Sequence, residues 1–372
     1  MDDFTARKDV SPVLTEIPRY EAPMGPAPVY EPYLRPIRVP PLNTALFLLT
    51  LLTTTMAGAG MAGATVSLSV PRTLPNLIAG LSFSIPLMAI LLAHEMGHYL
   101  TSRRWGVDAT LPYFIPFFPT LGPLWSIGTL GAFIKMKSPA RTRRAMFDIG
   151  AAGPWAGMVV SVIAVIWGLH YSTVTPLDNS QGGLQLGNSI LFWSVSRAVL
   201  GVDPNTVNVN LSPVALAGWL GFFLTAINLL PVGQLDGGHV IYSAFGSRGH
   251  RLISRLAWLG CALMVAIPYF LGLDFWGGWL LWFVLLILLG LGHPATVDAD
   301  TPLPASRKAA AWATIVLFVV TFSQVPFSWQ QPSENPNQQP NEPPIRSVML
   351  HMPAHPSAAA LHALGVKLTV KI

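Results

Sequence analysis

The chain has 372 residues, 52% hydrophobic and only 10% charged, with a mean hydropathy of +0.50; this excludes a pair of ordinary soluble domains and fits a multi-span helical membrane protein. A net charge of +5 could suit nucleic acid, but the Lys and Arg residues are dispersed at the ends of apolar runs, so no nucleic-acid partner is expected. The lone cysteine, Cys261, lies in an apolar run and excludes an intramolecular disulfide.

Residues 1–42 hold nine prolines and mixed charges without helical period, which predicts a disordered N-terminal tail. No cleavable signal peptide is visible, so the first span is expected to direct insertion. Apolar stretches long enough to cross a bilayer follow at about 44–66, 76–104, 146–170, 212–231, 252–273, 275–292 and 309–325. The expectation is an all-α polytopic membrane protein of about seven transmembrane helices, with a membrane domain over 43–325 and a tail over 326–372. Seven spans separate the termini, and 17 of the 22 Lys and Arg residues fall on the side of the N-terminus. By the positive-inside rule the N-terminus is cytoplasmic and the C-terminus extracytoplasmic.

Two stretches break this pattern. Residues 109–137 alternate aromatics with prolines and then read as extended chain from Ser126 to Lys135, which predicts a re-entrant β-hairpin near the membrane-embedded site. Such a hairpin offers a free edge for an extended substrate strand or, equally, a structural plug. From Asn228 to His239, Pro231 and the Gly237-Gly238 pair end one helix and start another segment. The polar loop 171–211 contains a short amphipathic piece near 188–200.

Only one glutamate occurs between Glu31 and Glu334, and it lies in His94-Glu95-Met96-Gly97-His98. An ionisable group at that depth is costly, and chemistry is the economical reason to keep it. On a helix, residues 94 and 98 share a face, close enough for two imidazoles to hold one zinc ion, with Glu95 adjacent as the base that takes a proton from water. The alternative is a packed histidine pair with a neutral glutamate. Zinc needs a third protein ligand, and Asp236, at a broken helix end beside two glycines, is the leading candidate; it could instead cap the following helix. His239 could ligate or simply be hydrogen-bonded, and Asp148 has Arg143 and Arg144 as expected salt-bridge partners. The small-residue stripe Gly150, Gly153, Ala156 and Gly157 predicts close packing of its helix against the histidine helix.

The His94–His98 motif together with Asn228-Leu229-Leu230-Pro231-Val232-Gly233-Gln234-Leu235-Asp236-Gly237-Gly238 resembles the two signatures of the site-2 protease family of intramembrane zinc metalloproteases, peptidase family M50. Gly128-Thr129-Leu130-Gly131-Ala132 and Phe147-Asp148-Ile149-Gly150-Ala151-Ala152-Gly153-Pro154 are similar to its branch with plastid EGY-type and bacterial members. The resemblance implies one zinc on His94, His98 and Asp236, Glu95 as general base, and substrate contacts at Asn228, Gly128 and Gly131. It implies cleavage of a transmembrane protein substrate within the lipid bilayer. The loop 171–211 is too short for a PDZ domain, and nothing after residue 325 resembles a CBS domain. The competing classes are an ion carrier built on the same His and Asp groups and a catalytically silent member. A bacterial cytoplasmic membrane is expected, with a plastid membrane as the alternative.

Overall fold

The computed structural model describes residues 36–61, 73–118, 127–176, 183–298, 301–330 and 369–370. Eight α-helices occur among them. A proline at the first helical position opens α1 (Pro41–Met61) without losing a hydrogen bond. The next helix, α2 (Thr73–Arg104), is 32 residues long and ends on Arg103 and Arg104, cations suited to a helix C-terminus. Thr142 caps α3 (Arg143–Leu169), its hydroxyl accepting from the Ala145 amide at 3.1 Å. Ser189 caps α4 (Ile190–Leu200), the expected amphipathic piece, and Ser212 caps α5 (Pro213–Asn228). Then come α6 (Asp236–Leu271), α7 (Gly278–Leu289) and α8 (Ala305–Thr321). Gly246 breaks α6 with φ 71° and ψ −176°, a backbone setting open to glycine; the part beyond it covers the expected 252–273 span, and the part before it carries Asp236.

Four helices, in α1, α2, α3 and α6, are long and apolar enough to cross a membrane. The expected spans at 212–231, 275–292 and 309–325 appear as α5, α7 and α8, with 16, 12 and 17 residues. At 1.5 Å per residue these reach about 24, 18 and 26 Å, short of a hydrocarbon core of about 30 Å. Residues 1–35, 62–66 of the first expected span, 119–126 at the expected hairpin tip, and 331–368 with 371–372 of the expected tail lie outside the described residues.

Helices α2, α3 and α5 form the centre of the molecule. Phe83 and Leu87 of α2, Met158 and Val165 of α3, and Leu220 and Phe222 of α5 are buried in one cluster. The outward faces stay apolar: Ile85, Val159, Ile163, Trp167, Leu256 and Phe270 are all more than half exposed to the surroundings. Long helices with apolar residues on both faces are membrane helices, because water would leave the outer face unstable.

The region 109–137 contains an antiparallel pair, β1 (Tyr113–Pro116) and β2 (Thr129–Phe133), with Tyr113 opposite Phe133 and Phe114 opposite Ala132. Hydrogen bonds extend the pairing on both sides, from Phe117 N–H to Gly128 O (3.1 Å) and from Thr110 N–H to Lys135 O (2.9 Å). The pair is fastened to α1: Thr53 Oγ1 donates to Gly128 O at 2.6 Å, and Asn43 Nδ2 donates to Pro112 O at 2.8 Å. Gly128 has φ +83°, and a Cβ there would strike the α1 backbone at Thr53 and Thr54.

A second sheet is built from β3 (Thr173–Pro176), β4 (Gly183–Leu186), β5 (Val207–Asn210), β6 (Phe327–Gln330) and β7 (Thr369–Val370), in the order β3-β5-β7-β4-β6. It joins the loop 171–211 to residues beyond α8.

Candidate active site

A buried cluster of ionisable side chains lies where α2, α3, the end of α5 and the start of α6 converge. His94, Glu95 and His98 are each only 7% exposed. His94 and His98 project from one face of α2, as a spacing of four requires. Asp236 reaches the same point from a segment 138 residues further along the chain than His98. Its Oδ2 lies 3.2 Å from His94 Nε2 and 3.3 Å from His98 Nε2, and the two imidazole nitrogens are 3.1 Å apart.

The local sequence explains this convergence. Helix α5 stops at Asn228 because Pro231 cannot continue it, and the chain turns back so closely that a Cβ on Gly237 or Gly238 would strike the carbonyls of Leu229 or Val232 and Gly233. Ser254 Oγ donates to Pro231 O (3.2 Å) and His250 Nε2 to Gly233 O (3.0 Å), tying the turn to the second part of α6. Asp236 is the first residue of α6, and the capping position is Leu235, which makes no side-chain cap bond. The capping alternative for Asp236 is therefore not what the chain adopts; the carboxylate turns to the histidines.

Helix α3 makes room for the rings. A Cβ on Gly153 would collide with the His98 imidazole, one on Gly157 would stand 3.1 Å from His94 Cβ, and one on Gly150 would stand 2.7 Å from His239 Cβ. A Cβ on Gly97 would in turn meet Ala152 O at 2.5 Å. The stripe thus does what was expected, close packing, and also clears the space the imidazoles occupy. The backbone of α3 orients one of them: His98 Nδ1 donates to Ile149 O at 2.7 Å, leaving Nε2 as the lone-pair nitrogen that faces His94 and Asp236.

These donors fit zinc. A tetrahedral ion with bonds of about 2.0–2.1 Å sets its donors about 3.3 Å apart, close to all three separations found here. The cluster His94, His98 and Asp236 is the one such group of potential ligands among the described residues. Two imidazoles and a carboxylate also match the donor set of hydrolytic zinc sites, which leave a fourth position open. Zinc is thus the cofactor the site implies.

Around this triangle, Asn228 Nδ2 lies 3.3 Å from His94 Nε2 at the last residue of α5. The Glu95 carboxylate faces the backbone N–H of Ile134, the residue following β2, so the strand pair borders the site. Gly131 in β2 has φ +101° and nothing within 4 Å of where a Cβ would stand; Gly128 is buried against α1. His239 is drawn off by a hydrogen bond to His293 (Nδ1 to Nε2, 2.7 Å), and His293 stacks on Tyr242 at 4.1 Å between centroids. Asp148 does not pair with Arg143 or Arg144. Its carboxylate takes two bonds from Arg307 (2.7 and 2.9 Å) and one from Trp105 Nε1 (3.1 Å), while Arg143 grips Ser243 O. An i+4 or i+5 partner on the same helix lost to a planar guanidinium delivered side-on by α8.

The ring-orienting carbonyl of Ile149, the Ile134 amide and the His239–His293–Tyr242 cluster were not foreseen. Backbone groups leave no trace in residue types. Only the spacing of Gly150, Gly153 and Gly157 hinted that α3 faced the histidines.

The model of peptidase family M50 matches residues 82–267, half of the chain. The chain is similar to the probable zinc metalloprotease EGY1, chloroplastic, of Arabidopsis thaliana, at 33% identity over 269 residues that cover 70% of this chain and 45% of that protein. The rice (Oryza sativa subsp. japonica) protein of that name is 37% identical over 183 residues, covering 46% of this chain and 29% of its own length. The probable zinc metalloprotease EGY2, chloroplastic, of Arabidopsis thaliana is 26% identical over 249 residues, 67% of this chain and 42% of that protein. The chain thus spans less than half the length of these curated relatives. No solved structure matches. The matched segment contains His94, Glu95, His98, Asn228 and Asp236, all of α3 and α5 and most of α2 and α6, and this chain belongs to peptidase family M50.

Proposed function

We propose that the chain is an intramembrane zinc metalloendopeptidase that hydrolyses peptide bonds in or near transmembrane segments of membrane-anchored proteins. One observation carries this reading: two imidazoles and a carboxylate meet at zinc-donor spacing, with Glu95 beside them, inside helices fit to span a bilayer. His94 Nε2, His98 Nε2 and an Asp236 oxygen hold the metal. Zinc bound there supplies Lewis acidity that lowers the pKa of water and polarises the scissile carbonyl.

Glu95 accepts a proton from the attacking water and passes it to the leaving amine, so the hydrolysis balances with one water consumed. The Asn228 carboxamide, at the edge of the donor triangle, donates to the oxygen that gains charge as the carbonyl becomes tetrahedral. A helical substrate shields its own peptide bonds and must be drawn out straight. The strand pair β1–β2 offers a backbone edge for it, with Gly131 leaving open space beside that edge and Gly128 setting the strand against α1.

In the membrane we read seven crossings over 43–325, with α5, α7 and α8 as the shorter ones, and β1–β2 as a re-entrant hairpin. Residues 1–42 form a cytoplasmic tail and 326–372 an extracytoplasmic one; the pairing of β6 and β7 with strands from the loop 171–211 supports placing those two regions on one side. Two membranes are open to this reading, the cytoplasmic membrane of a bacterium and a plastid membrane; the relatives named chloroplastic favour the second, and fractionation of the source cells separates the two.

The test is Glu95→Gln in the purified full chain with a single-span model substrate. Cleavage is expected to vanish while zinc content and thermal midpoint stay at wild-type values. A Glu95→Gln protein that cuts at the wild-type rate overturns the assignment of the base.

A further inference from the structure

A cavity of about 430 Å³ opens beside the Arg103 end of α2, between the segment entering α1 and the turn that follows α2. Ile37, Arg38, Tyr99, Arg103, Val107 and Asp108 line it. Its volume falls within the roughly 300–1,000 Å³ of small-molecule sites. None of these residues takes part in the metal cluster.

We propose that this cavity holds the headgroup of an anionic glycerophospholipid, with Arg38 and Arg103 on the phosphodiester and Asp108 on the headgroup hydroxyls. The depth is right: the apolar span Leu77–Arg104 ends at the cavity, so its mouth lies at the level where lipid phosphates sit. The charges are right as well. Among the described lining residues, two guanidiniums and one carboxylate sum to one net positive charge, the complement of a phosphodiester carrying one negative charge. The carboxylate adds acceptors for hydroxyl groups, which an isolated inorganic phosphate does not present.

The walls are set in place before any ligand arrives. Tyr99 is 6% exposed; Arg103 Nη1 donates to its hydroxyl at 3.3 Å and the guanidinium carbon stands 5.8 Å from the ring centroid, which fixes the Arg103 head against Tyr99 at the cavity wall. The backbone of Asp108 is pinned on both sides, its N–H donating to Ser138 Oγ (2.9 Å) and its carbonyl accepting from Lys137 N–H (2.7 Å). Ile37, 47% exposed, and Val107 provide an apolar wall for the glycerol and the first methylenes of the acyl chains. Tyr99 follows His98 directly, so a lipid seated here rests on the helix that carries both histidines.

The proposal is tested on the delipidated full chain in detergent, titrated separately with phosphatidylglycerol, phosphatidylcholine and inorganic phosphate, with bound species read by native mass spectrometry. One phosphatidylglycerol per chain is expected, with at least about a tenfold preference over phosphatidylcholine. Arg38→Gln with Arg103→Gln should weaken it about tenfold or more, while Arg104→Gln, an exposed cation on the same turn and outside the cavity, should change it less than about twofold. Zinc content and thermal midpoint check the fold; should the double variant fail to fold, Arg38→Gln alone, in the exposed segment before α1, gives the reading. Equal binding of the two lipids, an equal loss with Arg104→Gln, or displacement by inorganic phosphate at comparable concentration would each overturn the assignment.

Discussion

Replacing Gly153 by alanine tests whether α3 holds the histidines in ligating position. The new Cβ would stand about 1 Å inside ordinary contact distance of the His98 ring, meeting Nε2 and both carbons that flank it. The ring cannot simply retreat, since its Nδ1 is bonded to Ile149 O at 2.7 Å on the same helix that brings the methyl group. Either α3 withdraws or the imidazole swings off its bond. Overpacking of this kind costs about 1–3 kcal/mol of stability. Loss of the orienting hydrogen bond lowers metal affinity by about 10–100-fold. Gly157→Ala is the graded companion: its Cβ would meet His94 Cβ at 3.1 Å and Nδ1 at 3.3 Å, a misfit of a few tenths of an ångström, so less than about tenfold is expected. Gly60→Ala in α1, with nothing within 4 Å, is the control and should be neutral or stabilise by up to about 1 kcal/mol. Chelator competition measures zinc affinity, and thermal unfolding measures stability. If Gly153→Ala binds zinc within twofold of wild type and melts unchanged, the reasoning about α3 is wrong.

Removing the Asp148–Arg307 bridge should cost about 1 kcal/mol, because both side chains are partly exposed and solvent screens them; a double-mutant cycle with Asp148→Asn and Arg307→Gln measures the coupling, and a value near zero would contradict the bidentate geometry. Burial, followed by the adjacent His239, holds the His293 imidazole down to about 3. Its unfolded pKa is about 6.5, so the unfolded chain takes up the proton first and the contribution, present above about pH 6.5, is lost as pH falls toward 3. At pH 5 linkage allows about 2 kcal/mol, or about 1 kcal/mol after screening of the exposed part. Thermal midpoints of metal-free wild type and His293→Gln between pH 7.5 and 5 should converge as the pH drops; parallel curves would refute this.

What could be read in the sequence was what side-chain chemistry and period carry. The apolar lengths located α1, α2 and α3 to within a few residues, and the His94–His98 spacing with its buried glutamate pointed to the metal. A new segment beginning near Asp236 was expected, but not that Gly237 and Gly238 form its first helical turn, pressed against Leu229 and Gly233. Helices α5 and α7 are shorter than their apolar runs because Pro231, Gly277 and Gly290 bound them. The pairing of 113–116 with 129–133 falls inside the hairpin expected over 109–137, whereas the five-stranded sheet is a long-range pairing, and the role of 327–330 depends on contacts that no local pattern encodes. The Asp148–Arg307 bridge was missed for the same reason, since its partners are far apart in the chain.

The central claim is that one metal ion is gripped jointly by α2 and by the first residue of α6. Zinc stoichiometry of the purified full chain, measured for wild type, Asp236→Ala and Asp148→Ala, tests it most directly. One zinc per chain in wild type, a near-complete loss in Asp236→Ala and full retention in Asp148→Ala is the expected result; equal zinc in all three proteins would contradict the claim.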